Sequence, residues 1–241
     1  MSVSSTPKSA RGNHVVIAID GPAASGKSST AQWVARRLSY FHVDSGALYR
    51  AATLVQLARS AAIDEWTEAD VLAGVSRIGF VAAEHTFVPT VGGVNVDEEL
   101  RSGEVTRAVS LVATMPGVRA WVNERVRQAA ALQHVVVDGR DIGTVVFPDA
   151  DLKVFLVADP WERARRRLIQ RLDRHPTDPE IAEETDVIVR RDARDATQTV
   201  QAADAVLIDT TYLTQEDQVE RIVALARAVT HRPDDTSAVD G

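Results

Sequence analysis

The chain has 241 residues, 45% apolar and 25% charged, and a formal net charge of −7 at pH 7. That length supports one α/β core with a modest insertion, and the acid excess argues against a general nucleic-acid partner. There are no cysteines, which excludes disulfides, thiolate metal sites and cysteine nucleophiles, while the absence of any run near the roughly 20 apolar residues of a membrane span and the polar start MSVSSTPKSARGN argue for no membrane partner and a cytoplasmic setting.

Residues 1–13 and 231–241 are rich in Ser, Asp, Pro and Gly without a periodic apolar pattern, and they read as disordered tails. The first apolar run predicts a strand over 15–20. It leads into Gly21-Pro22-Ala23-Ala24-Ser25-Gly26-Lys27-Ser28, which fits G-x-x-x-x-G-K-[ST] and lies between a strand and an amphipathic segment. In that setting the glycines let successive N–H groups face inward and the next helix adds its positive end. Lys27 reaches the terminal phosphates of a nucleoside triphosphate, and Ser28 can hold Mg²⁺. The helix that follows buries Ala31, Val34, Ala35 and Leu38 on one face.

A second strand at 40–43 runs into Asp44-Ser45-Gly46, with Tyr49 and Arg50 one turn into the next helix. Residues 75–97 break the α/β alternation with short turn-bounded runs typical of a small antiparallel sheet, so 65–113 reads as an insertion in a core formed by 14–64 and 114–230. Helical spacing of Val118, Val122, Val126 and Ala129 precedes a third strand at 134–138. That strand ends in Asp138-Gly139-Arg140-Asp141, and two further strands fall at 152–157 and 204–208. The pattern is that of a doubly wound α/β domain with a buried parallel sheet.

Ligands of such sheets gather at the carboxyl ends of the strands, where the phosphate loop, DSG and DGRD all fall. Asp138 has the character of the acid that holds Mg²⁺ directly or through water, and Arg140 can offer a guanidinium fork to a phosphate. Between 160 and 195, two helices carry Arg163 and Arg167, then Arg190, Arg191 and Arg194 with Asp192 and Asp195. Phosphoryl transfer needs spread charge neutralised and water kept out, so this hairpin reads as an arginine-bearing lid. The plain alternatives are an Asx turn at DSG, a local ion pair at DGRD and a solvated hairpin with surface salt bridges.

The strings IDGPAASGKSS, VDSGALYR and VDGRDIGTVVFPDADLKVFL, in that order and spacing, resemble the bacterial cytidylate kinases, P-loop nucleoside monophosphate kinases that phosphorylate CMP and dCMP from ATP. The resemblance spans about 14–229. It implies a five-stranded parallel sheet flanked by helices, a small α+β monophosphate-binding insertion, a helical lid, and dependence on ATP and Mg²⁺. It places the phosphate loop on Gly21 through Ser28, with Lys27 on the transferred phosphate; the residues themselves add Ser29 beside the loop and Arg163 and Arg167 of the hairpin as nucleotide contacts. Acceptor contacts fall on Asp44, Ser45, Arg50, Asp138, Arg140, Arg191 and Asp195, with Lys27, Arg140 and Arg191 catalytic and Ser28 with Asp138 on the metal. The stretch VSLVATMPGVR matches the family segment that reads cytosine, which implies Ser110 and Arg119. A monomer is expected.

One departure stands out. After Asp195 the chain reads Ala196-Thr197-Gln198-Thr199-Val200-Gln201, so Gln198 replaces the family's arginine and the connection to the last strand is shorter, by about four residues. A neutral amide lacks the charge-assisted bond of a guanidinium, about 1.5–3 kcal/mol, so weaker acceptor binding or an altered sugar preference is expected. Other readings are a different small-molecule P-loop kinase, a nucleotide-binding switch, or a family member with weakened turnover. A GTPase would carry N-K-x-D, and that string is absent.

Overall fold

The computed structural model describes residues 14–60 and 62–230, so the expected tails at 1–13 and 231–241 lie outside the described residues. Strand β1 (Val16–Asp20) is wholly buried, as a strand covered on both faces must be. Helix α1 (Lys27–Leu38) buries Thr30, Ala31, Val34 and Ala35. Strand β2 (Phe41–Asp44) feeds α2 (Ser45–Leu57), whose first turn is capped by the Asp44 carboxylate accepting from the Ala47 N–H.

The insertion contributes α3 (Glu68–Gly74), β3 (Ile78–Ala83), β4 (Thr86–Val91), β5 (Val94–Asn95) and α4 (Gly103–Val112). Helix α5 (Pro116–Ala130) opens on a proline, where a missing N–H costs nothing, and buries Val118, Val122, Val126 and Ala129. Strand β6 (Val135–Gly139) is followed by one π-helical turn at Ile142–Val146, and then by β7 (Leu152–Val157). A helical hairpin follows, α6 (Pro160–Leu172) and α7 (Asp178–Asp195), the second started by a reciprocal Thr177–Glu180 capping box. Strand β8 (Val206–Asp209) and α8 (Gln215–Thr230) complete the described chain.

The sheet order is β3-β4-β2-β6-β1-β7-β8, with β5 on β4. From β2 to β8 all neighbours are parallel, which gives the five-stranded core. Alternation along β1 divides the interior: Ile17 and Ile19 face α1 and α8, whereas Val16 and Ala18 face α2 and α5.

The antiparallel pieces of the insertion are not a separate sheet. Strand β4 pairs in parallel with β2 at a single position, His42 opposite Thr86, and the His42 N–H donates to the His85 carbonyl at 2.9 Å. Without β4, β2 would be an open edge with unpaired backbone groups. Trp66, Val71, Ile78, Phe87, Val96 and Leu100 of the insertion join the core formed with α2 and α5. The α6–α7 hairpin keeps a small core of its own, made of Ala164, Leu168, Ile181 and Ile188. No helix among the described residues is long and apolar enough to cross a membrane.

Candidate active site

The parallel ladders bring three acids to one edge, with Asp44 beside Asp138 and Asp20 beside Gly139. Residues 21–28 curl over that edge. Gly21 has no room for a side chain, because a Cβ there would run into the Leu156 carbonyl oxygen of β7. Ala24 and Gly26 take left-handed backbone conformations, with φ of 55° and 85°, which turn the loop back on itself. Helix α1 begins with no side-chain cap, so its first N–H groups stay open to an anion. The buried Ser25 hydroxyl also has no hydrogen-bond partner. Ser29 faces the other way: its hydroxyl donates to the Gly26 carbonyl at 2.8 Å and lies 3.2 Å from Gln215 Oε1.

Lys27 Nζ donates to the Pro22 carbonyl at 3.1 Å. Burial, and after it the charge of Arg140, lowers its pKa to about 7, an effect that the charge of bound phosphates would reverse. Asp138 is 1% exposed and fully engaged. Its Oδ2 accepts from Ser28 Oγ at 2.5 Å, its Oδ1 lies 2.7 Å from His42 Nε2, and its backbone carbonyl accepts from Ser45 Oγ at 2.8 Å. Burial alone would raise its pKa, but His42, Lys27 and Ser28 together hold the carboxyl below the usual range. Burial and then the charge of Asp138 push Asp44 up.

Ser28 Oγ and Asp138 Oδ2 are adjacent hard oxygen donors at the loop. One hydroxyl and one carboxylate suit Mg²⁺, which keeps several waters and takes its other ligands from phosphates. Among the described residues no group of three or more His, Asp or Glu side chains could cage a metal. The donor set therefore fits a cation that arrives with a nucleotide.

The arginines gather on the opposite wall. Arg140 Nη2 donates to Asp195 Oδ2 at 2.7 Å and Nη1 to Thr199 Oγ1 at 3.4 Å. Arg191 Nε stands 3.7 Å from the same Asp195 oxygen and, although buried, has no hydrogen-bond partner. Burial and then the charges of Arg140 and Arg50 bring the Arg191 pKa down to about 10. Arg50 lies 3.9 Å from Asp44. Such mutually repelling cations are arranged for a polyanion.

Arg119 forms an ion pair with Asp141 and donates from Nη1 to Gln198 Oε1 at 3.0 Å and to the Ala113 carbonyl at 3.2 Å. With Thr144, Val145, Thr197 and Val200, these three side chains line a cleft of about 440 Å³. Ser110, half-buried on α4, is not among the lining residues.

Arg163, expected on a mobile flap, is only 4% exposed. It donates from Nε to the Ala158 carbonyl at 3.0 Å and from Nη1 to the Ala23 carbonyl at 2.7 Å, and it pairs with Asp192 at 2.6 Å. Asp192 Oδ1 also accepts from the Ala23 N–H at 3.1 Å. Near the start of α6, this guanidinium is spent on tying the loop to the α6–α7 hairpin. Arg167 turns inward to Glu184 at 3.3 Å.

Sequence reasoning missed four groups here. Asp20 accepts from the N–H groups of Ile142 at 2.9 Å and Gly143 at 2.8 Å, and burial raises its pKa to about 6. It anchors the segment that carries Arg140 and Asp141. Its signal was present, since it ends an apolar run as Asp44 and Asp138 do. Asp141 and Asp192 were visible only as partners in local ion pairs, and His42 only as one more residue of an apolar strand.

The family model described as "Cytidylate kinase" matches residues 17–228. A cytidylate kinase of Desulfitobacterium hafniense is 45% identical over 215 residues, 87% of this chain and 91% of its own length. A cytidylate kinase of a Geobacillus species is 44% identical over 218 residues, 88% and 96% of the two chains. A third, from Limosilactobacillus fermentum, is 42% identical over 212 residues, 86% and 93% of the two chains.

Proposed function

Since the chain belongs to the cytidylate kinase family, we propose that it phosphorylates CMP and dCMP to CDP and dCDP, taking the γ-phosphoryl group of ATP by direct in-line transfer. The observation that carries this reading is the gathering of Lys27, Arg50, Arg140 and Arg191 within electrostatic reach of one another, beside the acids Asp44 and Asp138 at the strand ends and Asp195. The acceptor phosphate is anionic near neutral pH, so no strong general base is needed.

The open amides of the loop and of α1 hold the donor phosphates, and Lys27 stabilises the equatorial oxygens as the phosphoryl group passes. Arg50, Arg140 and Arg191 bind the acceptor phosphate and keep two polyanions together. Asp195, which now occupies Arg140 and Arg191, is the group that yields to phosphate and turns to the sugar. Arg119 supplies donors to the O2 and N3 acceptors of cytosine. Ser28 and Asp138 would hold Mg²⁺, which would supply charge neutralisation for the donor phosphates. The reading takes the protein as a monomer working in the cytoplasm.

The experiment is ADP release with ATP and Mg²⁺ against CMP, dCMP, UMP, AMP and GMP. Turnover should require CMP or dCMP. Equal rates with a purine monophosphate would overturn the acceptor assignment, and none of the observations above favours a different acceptor class.

A further inference from the structure

One buried imidazole beside the phosphate loop has no part in the transfer as described. His42 lies on β2, opposite Val136 of the neighbouring β6, and is 6% exposed. Its two neighbours on the strand are Phe41 and Val43, and an aliphatic side chain would suit such a position without the cost of burying a polar ring. What the ring touches is Asp138. Nε2 lies 2.7 Å from Oδ1, the carboxylate oxygen that does not contact Ser28. An ionised carboxylate only accepts, so Nε2 carries the proton of this bond.

Oδ2, on the other side, is met by Ser28 at 2.5 Å, and Ser45 fixes the peptide carbonyl of the same residue at 2.8 Å. The backbone position, one oxygen and therefore the plane of the carboxylate are all determined. Rotation about the last side-chain bond turns both oxygens together, so it could not move Oδ2 away from Ser28 without also breaking the His42 hydrogen bond. We propose that His42 is a positioning residue for the metal carboxylate, its Nε2–H pinning Asp138 Oδ1 so that Oδ2 and Ser28 Oγ are held together for the divalent cation. The proposal rests on the reading that Ser28 and Asp138 hold that cation.

Mn²⁺ is the probe, titrated into the full chain with ADP and followed by loss of the free-ion paramagnetic signal. His42→Leu keeps the volume without the donor, and His42→Gln returns a donor at similar reach. A lost partner behind a metal ligand typically costs 10–100-fold in affinity, so the leucine variant should weaken Mn²⁺ about tenfold and the glutamine variant at most about twofold. A purely structural role would instead impair both variants alike, and that result overturns the proposal. Asp138→Asn separates the two readings. If it weakens Mn²⁺ while His42→Leu does not, His42 has no such role and the metal assignment stands. If Asp138→Asn also binds Mn²⁺ as the parent does, the metal assignment fails and the proposal fails with it. A measurement on the unaltered protein requires no variant to fold: the long-range proton–nitrogen spectrum should show His42 protonated at Nε2, and a ring protonated at Nδ1 alone contradicts the proposal.

Discussion

Lys27 destabilises the free protein. Its pKa is about 7 in the fold against 10.5 for an ordinary lysine. Between those values the unfolded chain binds more protons than the folded one, so stability rises with pH there, and below about 7 the penalty is complete. Lys27→Met removes it. Turnover should fall by orders of magnitude, while the thermal midpoint at neutral pH rises by about 2–4 °C for each kcal/mol recovered. A midpoint that falls would mean that the Pro22 contact outweighs the burial. Gln198 offers a second test. Gln198 cannot give the charge-assisted bond expected of an arginine, and its amide oxygen accepts from Arg119 instead. Gln198→Ala should therefore raise KM for CMP by about 2–10-fold, the worth of one ordinary hydrogen bond, with kcat nearly unchanged. An unchanged KM would show that Asp141 and Ala113 alone orient Arg119. Residues of this kind differ in legibility for a physical reason. Lys27 and Ser28 are fixed by local spacing, whereas the partners of Gln198 and His42 lie 79 and 96 positions away, on elements that only the fold brings near.

At the scale of elements, the phosphate loop is tied to the α6–α7 hairpin. Asp192 of α7 accepts from the Ala23 N–H and pairs with Arg163 of α6, which in turn donates to the Ala23 carbonyl. Asp192→Ala leaves a buried guanidinium and a loop amide without their shared acceptor. It should lower stability to urea by about 1.5–3 kcal/mol, the value of a hydrogen bond to a charged group, and weaken ATP along with it. Unfolding at the parent midpoint would show that the tie is not a structural one. The helical hairpin itself was visible from Pro160 and from the spacing of its arginines, and the five parallel strands agree with their apolar runs to within two residues at every boundary. What could not be read is the docking of the insertion. Its hairpin continues the main sheet through a single pairing, His42 with Thr86, and one backbone bridge leaves no pattern in either strand.

Across the whole molecule, charge is divided unevenly. The chain carries −7 overall, yet Lys27, Arg50, Arg140 and Arg191 lie within electrostatic reach of one another near the carboxyl ends of the strands. The acidic exterior discourages long polyanions, and the local field favours small ones. This division was legible in outline, because the glycine loop, DSG and DGRD each follow an apolar run and a parallel sheet must gather such ends on one edge. The most direct measurement is ³¹P NMR of the full chain with ATP, Mg²⁺ and CMP. The account predicts CDP and ADP in equal amounts, without inorganic phosphate. ADP and inorganic phosphate without CDP would contradict it, because the site would then pass the phosphoryl group to water.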